Sequence, residues 1–148
     1  MDIGSGKGYP QSALSNFVPR VFMFDGVRCN SLEGVLQSFK FESTGMQEYI
    51  CTLVGRTAKL SGKKKAWYRT QTLYWKGEII DRHSDRYQEL ITSLYDAVFD
   101  QCESFRKALI AIHRAVLTHS IGKSDPHRTI LTEREFVGQL NRLRAKLR

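Results

Sequence analysis

The chain has 148 residues, 41% hydrophobic and 26% charged, which excludes a disordered chain and fits one globular domain around one core. Its formal net charge is +8 and its pI about 9.6. That balance either serves solubility alone or favours anionic partners: phosphates, nucleotides or nucleic acid.

Residues 1–12, "MDIGSGKGYPQS", read as a loose N-terminal segment, with the domain proper over 13–148. Residues 21–24 (VFMF), Asp25-Gly26 and a second short run from Val27 predict a β-hairpin, because Asp-Gly suits a tight two-residue turn. Ser31 is placed to cap a helix in which Leu32, Val35, Leu36 and Phe39 repeat at helical spacing. A second helix is expected over 46–60, through Tyr49, Ile50, Leu53, Val54 and Ala58, ending at Gly62 and the lysines Lys63, Lys64 and Lys65. Residues 67–75 are aromatic and Thr-rich, either extended or a short helix.

The longest helical pattern covers 84–117, with Tyr87, Leu90, Ile91, Leu94, Tyr95, Val98 and Phe99 on one face and a break near Asp100. "HSIGKSDPHRT" (119–129) is a loop by its Gly, Ser, Asp and Pro. Thr132 and Glu135 form a capping box before a last basic helix over 136–147. The expected class is α+β, mainly α-helical, with a small β-hairpin.

Cys29, Cys51 and Cys102 are odd in number and form no CxxC pair, which points to a reducing compartment. The four histidines lack zinc spacing, so neither metal nor cofactor is expected. No apolar leader opens the sequence, and the most apolar run (108–117) is interrupted by His113 and Arg114, so a cytoplasmic protein is expected. "IGSGKG" (3–8) and "GKS" (122–124) both miss the Walker spacing. Cys102 has no evident base beside it and reads as a core residue.

One stretch carries more information. In "EGVLQSFK" (33–40), Glu33, Gln37 and Lys40 fall within a sector of roughly 60° beside the apolar face, and the opposite side holds only Gly34 and Ser38. Two readings stand. Glu33 and Lys40 are a surface pair on an amphipathic helix, or they line a cleft because another element packs against the small residues. In the second case the chemistry is definite. Cleaving an N-glycosidic bond needs a carboxylate for an oxocarbenium-like sugar and for proton transfer, and a desolvated lysine can attack the anomeric carbon.

Several segments together resemble the YbiA-like, or NADAR, superfamily: "LSNF" (14–17), Asp25-Gly26, "SLEGVLQSFKF" (31–41), "AKLSG" (58–62) followed by Trp67, "YDAVFDQCESFRKAL" (95–109), "THSIGKSDPHRTILTEREF" (118–136) and "LNRLRAKL" (140–147). The resemblance implies a compact, mainly helical domain that hydrolyses N-glycosidic bonds of phosphorylated ribosyl substrates. An ADP-ribose conjugate such as ADP-ribosylated guanine, as a nucleotide-like small molecule or carried on DNA or RNA, is the favoured substrate. Riboflavin biosynthesis intermediates are the alternative, and a non-catalytic module binding ADP-ribose or nucleotides is a second.

Carried over by motif, Glu33 is the acid/base, Lys40 the covalent or electrostatic partner, and Asp125 the group orienting the ribose hydroxyls. Asn16, Phe17 and Gln37 bind the sugar or base, and Trp67 stacks on a base. Each has a plainer reading: an Asx turn at Asn16, core packing for Phe17 and Trp67, and a turn at Asp125-Pro126. Gly34 replaces a histidine common in the superfamily, Cys102 stands where asparagine is frequent, and a late Trp-Gly and Gly-x-Asn segment is missing. The missing late segment weighs against the riboflavin-pathway substrate.

Overall fold

A computed structural model describes all residues, Met1–Arg148. Two hairpins and six helices build it. β1 (Phe22–Phe24) pairs antiparallel with β2 (Val27–Cys29), and β3 (Thr72–Trp75) with β4 (Glu78–Asp81), as two separate two-stranded sheets. Both hairpins turn on two left-handed residues, Asp25 (φ 49°) with Gly26 (φ 77°) and Lys76 (φ 47°) with Gly77 (φ 87°). That turn matches the twist of the strands it joins. The first hairpin was expected. The second replaces the expected ambiguity over 67–75: a 3₁₀ turn at Trp67–Arg69 precedes β3.

The hairpin tips grip one another. Trp75 Nε1 donates to Asp25 Oδ2 at 2.9 Å, Lys76 Nζ donates to the Asp25 carbonyl at 2.7 Å, and Phe24 stacks on Trp75 with ring centroids 5.2 Å apart.

α1 (Leu32–Ser38) begins at Ser31, whose hydroxyl accepts from the Gly34 amide at 3.0 Å. The helix expected over 46–60 is two helices, α2 (Thr44–Cys51) and α3 (Gly55–Ser61). Extended backbone at Val54 and left-handed Gly55 (φ 54°) turn the chain between them. Glycine meets no steric cost in that region, so periodicity alone overran a break coded by one residue. Buried Gln47 locks this corner: its Nε2 donates to the carbonyls of Ser38 and Tyr74 at 3.2 and 2.8 Å, and its Oε1 accepts from the Lys76 amide at 3.1 Å.

α4 (Asp85–Gln101) and α5 (Glu103–Ala111) break at Cys102, two residues beyond the expected point. α6 (Glu133–Ala145) starts from Thr132 with both bonds of the expected capping box in place. One core cluster runs from α1 through α4, α5 and α6 and includes both hairpins.

The first residues are anchored, contrary to the expected loose segment. Ile3 is a core residue, its amide donates to the Thr118 carbonyl at 2.9 Å, and Asp2 accepts from the amide and hydroxyl of Ser120. Two residues of an apparently featureless, Gly-rich stretch, Asp2 and Ile3, supply this anchor. They hold the 118–131 loop from one side. Buried Arg82 holds it from the other: its guanidinium meets the Glu135 carboxylate with two bonds, at 3.1 and 2.6 Å, and Arg82 Nε donates to the Thr129 carbonyl at 3.0 Å.

Candidate active site

The stripe of α1 does not face open water. Ideal Cβ geometry at Gly34 would place a methyl 2.7 Å from the Ile50 carbonyl oxygen and 2.8 Å from that of Leu53. The last turn of α2 and the residues after it therefore press on the back of α1, and only glycine admits that approach. Gly34 and Ser38 are buried together with Leu32, Val35, Leu36 and Gln37. Any side chain in place of Gly34, histidine included, would have to push these backbones apart.

Glu33 enters the site through the first turn of α1. Its amide donates to the Asn16 carbonyl at 3.0 Å, which satisfies one of the free N–H groups of the helix start and ties "LSNF" to the stripe. Its carboxylate accepts from Gln37 Nε2 at 2.9 Å. Burial raises the Glu33 pKa, against opposing pulls from the Gln37 hydrogen bond and the charges of Lys59, Lys40 and His119. Gln37 is buried, and its own Oε1 has no partner.

Lys40 lies past the end of α1 rather than on it. The chain closes with i→i+3 bonds, Phe39 N to Leu36 O, Lys40 N to Gln37 O and Phe41 N to Ser38 O, at 3.3, 3.1 and 3.0 Å. In such a turn residues three apart eclipse, so Lys40 stands over Gln37. Its Nζ is 3.5 Å from the Gly62 carbonyl. Burial pushes its pKa down to about 8; Glu33 pulls it up, while Lys123 and Lys59 press it further down. Gly62, the cap of α3, has no room for a side chain, because a Cβ there would fall 2.9 Å from Lys40 Cδ and closer still to Gln37 Oε1.

Asn16 makes no Asx turn. Its Oδ1 accepts from the Tyr95 hydroxyl at 2.8 Å, and its amide nitrogen has no protein partner. Phe17 is partly buried, with Lys59 Nζ 6.0 Å above its ring. Trp67 is only 7% exposed and belongs to the core cluster. Asp125 is not brought into this group by any contact. Its carboxylate accepts from the His127 amide at 2.9 Å and lies 4.0 Å from Arg128 Nε, closing its own turn.

Four further residues join the group. Tyr95 holds Asn16. Lys59 and Lys123 surround the Glu33–Lys40 pair electrostatically. His119 is fixed by Nδ1, which donates to the Ile3 carbonyl at 2.7 Å, and its Nε2 has no protein partner. Lys59 lies inside "AKLSG", and His119 and Lys123 inside the late loop. Their positions in the sequence were marked, but their convergence on α1 was not. Gly122 lets the loop curl over His119, since a Cβ there would fall 2.5 Å from His119 Cδ2.

The arrangement is one carboxylate with a raised pKa and one amine with a lowered pKa, ringed by cations. It can move a proton, attack an electrophilic carbon and hold an anion.

Three similarities bear on this site. The NMR structure of the E. coli protein YbiA matches with a TM-score of 0.64 at 16% identity, over 97% of this chain and 81% of that one, which establishes a YbiA-like fold. An uncharacterised 17.1 kDa protein from the Gp30–rIII intergenic region of Enterobacteria phage T4 is 39% identical over 152 aligned positions, covering 99% of this chain and 98% of the relative. The family model described as bacteriophage protein GP30.3 matches residues 8–145. The chain belongs to the bacteriophage GP30.3 family and carries the YbiA-like fold.

Proposed function

We propose that the protein is a hydrolase acting on N-glycosyl bonds, and that its substrate is an ADP-ribose conjugate such as ADP-ribosylated guanine. The observation that carries this reading is the half-buried pair at the two ends of the α1 stripe: Glu33 raised and Lys40, just past the helix end, lowered to about 8, each towards the range where a proton can be exchanged near neutral pH.

In the proposed reaction the Lys40 amine attacks C1′ of the ribose. The bond from C1′ to the leaving nitrogen breaks, its electron pair stays on that nitrogen, and the Glu33 proton goes to it. The resulting adduct opens to a Schiff base as the ring oxygen leaves C1′ and takes a proton. Water then adds to C1′, the amine is expelled, and free ADP-ribose is released. Asn16 and Gln37 supply hydrogen bonds to the sugar, with the unpartnered Gln37 Oε1 as a ready acceptor. Phe17 borders the base, and Lys59 and Lys123 favour the diphosphate. Asp125 enters only as the residue that closes the turn after Lys123.

A relative from a phage fits work inside a host cell. The direct test is product analysis after incubation with ADP-ribosylated guanosine, free and in an oligonucleotide, beside riboflavin-pathway intermediates. Release of ADP-ribose, with borohydride trapping an adduct on Lys40, supports the reading. Thermal stabilisation by ADP-ribose with no turnover of any of these substrates replaces it with a binding module.

A further inference from the structure

The basic excess is not spread evenly. Between Glu48 and Glu78 there is no acidic residue, but there are seven cations: Arg56, Lys59, Lys63, Lys64, Lys65, Arg69 and Lys76. Lys76 is engaged with Asp25. The other six sit on α3, the turn after it and the 3₁₀ turn at Trp67–Arg69; all are exposed, and none is in ion-pair contact with a carboxylate. Elsewhere the cations are commonly neutralised: Arg86 by Glu78, Lys107 by Glu103, Arg142 and Lys146 by Asp96.

Flat apolar faces are interleaved with these charges. Tyr68 is 53% exposed, and Lys65 Nζ stands 4.7 Å over the ring of Phe41. Phe41 and Lys65 line a shallow groove of about 500 Å³ with Glu42, Ser43 and Met46. The surface abuts the α1 stripe through Gly62, whose carbonyl faces Lys40, and through Lys59, which faces Glu33.

We infer that residues 55–69, with Phe41, form a binding surface for single-stranded nucleic acid that runs into the α1 cleft. Unneutralised cations track a phosphodiester backbone, and the exposed Tyr68 ring among them stacks on an unpaired base. A duplex hides its base faces, so the aromatic component selects a single strand. The surface extends the proposed substrate from a free nucleotide to one carried on a strand. Its evidence is charge and exposure, which stand whether or not the glycosidic reading holds.

The test is fluorescence anisotropy with an unmodified, labelled single-stranded oligonucleotide, titrated over a range of salt. Joint substitution Lys63→Gln, Lys64→Gln and Lys65→Gln lowers the slope of log affinity against log salt by about 2. Tyr68→Ala weakens binding about ten-fold and leaves the slope unchanged. As a control of equal charge, Arg114→Gln, Arg134→Gln and Arg148→Gln together retain the slope. All these side chains are exposed, so the fold tolerates the changes. Equal losses from the two triple variants, or no effect of Tyr68→Ala, overturn the assignment. So does tighter binding of a duplex, or of vesicles containing phosphatidylserine, than of the single strand. The oligonucleotide bears no ribosyl adduct, so a failed glycosidase assay does not bear on this result.

Discussion

Gln37 gives its amide hydrogen to Glu33 at 2.9 Å while its own carbonyl oxygen lies buried, unpartnered, against Gly62. A buried acceptor without a donor costs free energy, of the order of 1–3 kcal/mol, and such costs persist where a ligand can relieve them. Gln37→Leu removes the orphaned acceptor and the Glu33 bond together. We expect KM for the ribosyl substrate to rise about ten-fold or more, with the melting temperature held or raised. Steady-state kinetics beside thermal unfolding separate the two effects.

Glu33→Gln should lower hydrolysis by about 10²–10⁴-fold, the usual worth of a positioned general acid/base, with the fold intact. Its effect on stability depends on pH. Burial raises the Glu33 pKa in the folded state, so the native form binds the proton more tightly than the unfolded chain. That contribution is fully present below the unfolded carboxylate pKa and is lost as pH rises through the folded value. The variant should therefore gain stability over the parent at neutral pH and lose that advantage in acid. Urea unfolding at both pH values measures it.

Burial holds the Lys40 pKa down to about 8, so a nucleophilic role predicts that turnover rises with pH as the amine loses its proton, and the proton that Glu33 gives to the leaving nitrogen makes it fall again once that carboxyl ionises. Lys40→Arg keeps the charge and removes the neutral amine, so it should abolish both turnover and borohydride trapping. The folded pKa lies below the unfolded one. The buried ammonium therefore destabilises the native state below about 8, and the penalty is relieved between about 8 and the usual lysine value of 10.5. Lys40→Met should be more stable than the parent at pH 7, and this margin should shrink at pH 10. A wild-type rate in Lys40→Ala would remove the covalent route.

Gly62→Ala places a Cβ where Gln37 Oε1 now is and 2.9 Å from Lys40 Cδ. Both side chains must move, so turnover should fall at least ten-fold. Overpacking of this kind costs about 1–3 kcal/mol. Gly34→Ala meets backbone carbonyls instead of flexible side-chain ends, so it should cost stability at least as much. Thermal melts of the two variants, read beside their activities, test the ordering.

Arg82 and Glu135 form the buried ion pair that holds the late loop, with side chains 2% and 15% exposed. Burial alone would raise the Glu135 pKa, but the Arg82 guanidinium and the hydrogen bonds from Thr132 and Gln88 hold it below the usual value. Its stabilising contribution is present above the unfolded carboxylate pKa and is lost as pH falls through the folded one. Arg82→Met leaves the carboxylate buried and unpaired, which should cost about 3–5 kcal/mol by chemical denaturation. It should also loosen the loop bearing His119 and Lys123, and so raise KM.

Much of this molecule was legible in the order of its residues. Asp25-Gly26 coded a turn, Ser31 and Thr132 coded helix starts, and the apolar spacing of α4 coded its buried face, because each depends on neighbours within a few positions. The small back of the stripe, Gly34 and Ser38, also announced close packing, which α2 provides. Part of what the sequence left open depended on distant partners: the anchoring of Asp2 and Ile3 is set by contacts across the fold. The break at Gly55 and the second hairpin at Lys76-Gly77 rest instead on local left-handed residues that apolar spacing and an aromatic run concealed. Spacing put Glu33, Gln37 and Lys40 on one sector of a helix; the tertiary structure ended that helix early, eclipsed Lys40 over Gln37 and closed Gly62 against both. It also withdrew Trp67 into the core, turned Asp125 back on its own loop and brought in His119 and Lys123 from over eighty positions away. Burial decided the chemistry, because the same carboxylate and amine in water would keep their ordinary pKa values, and no local pattern specifies how much water a folded chain excludes.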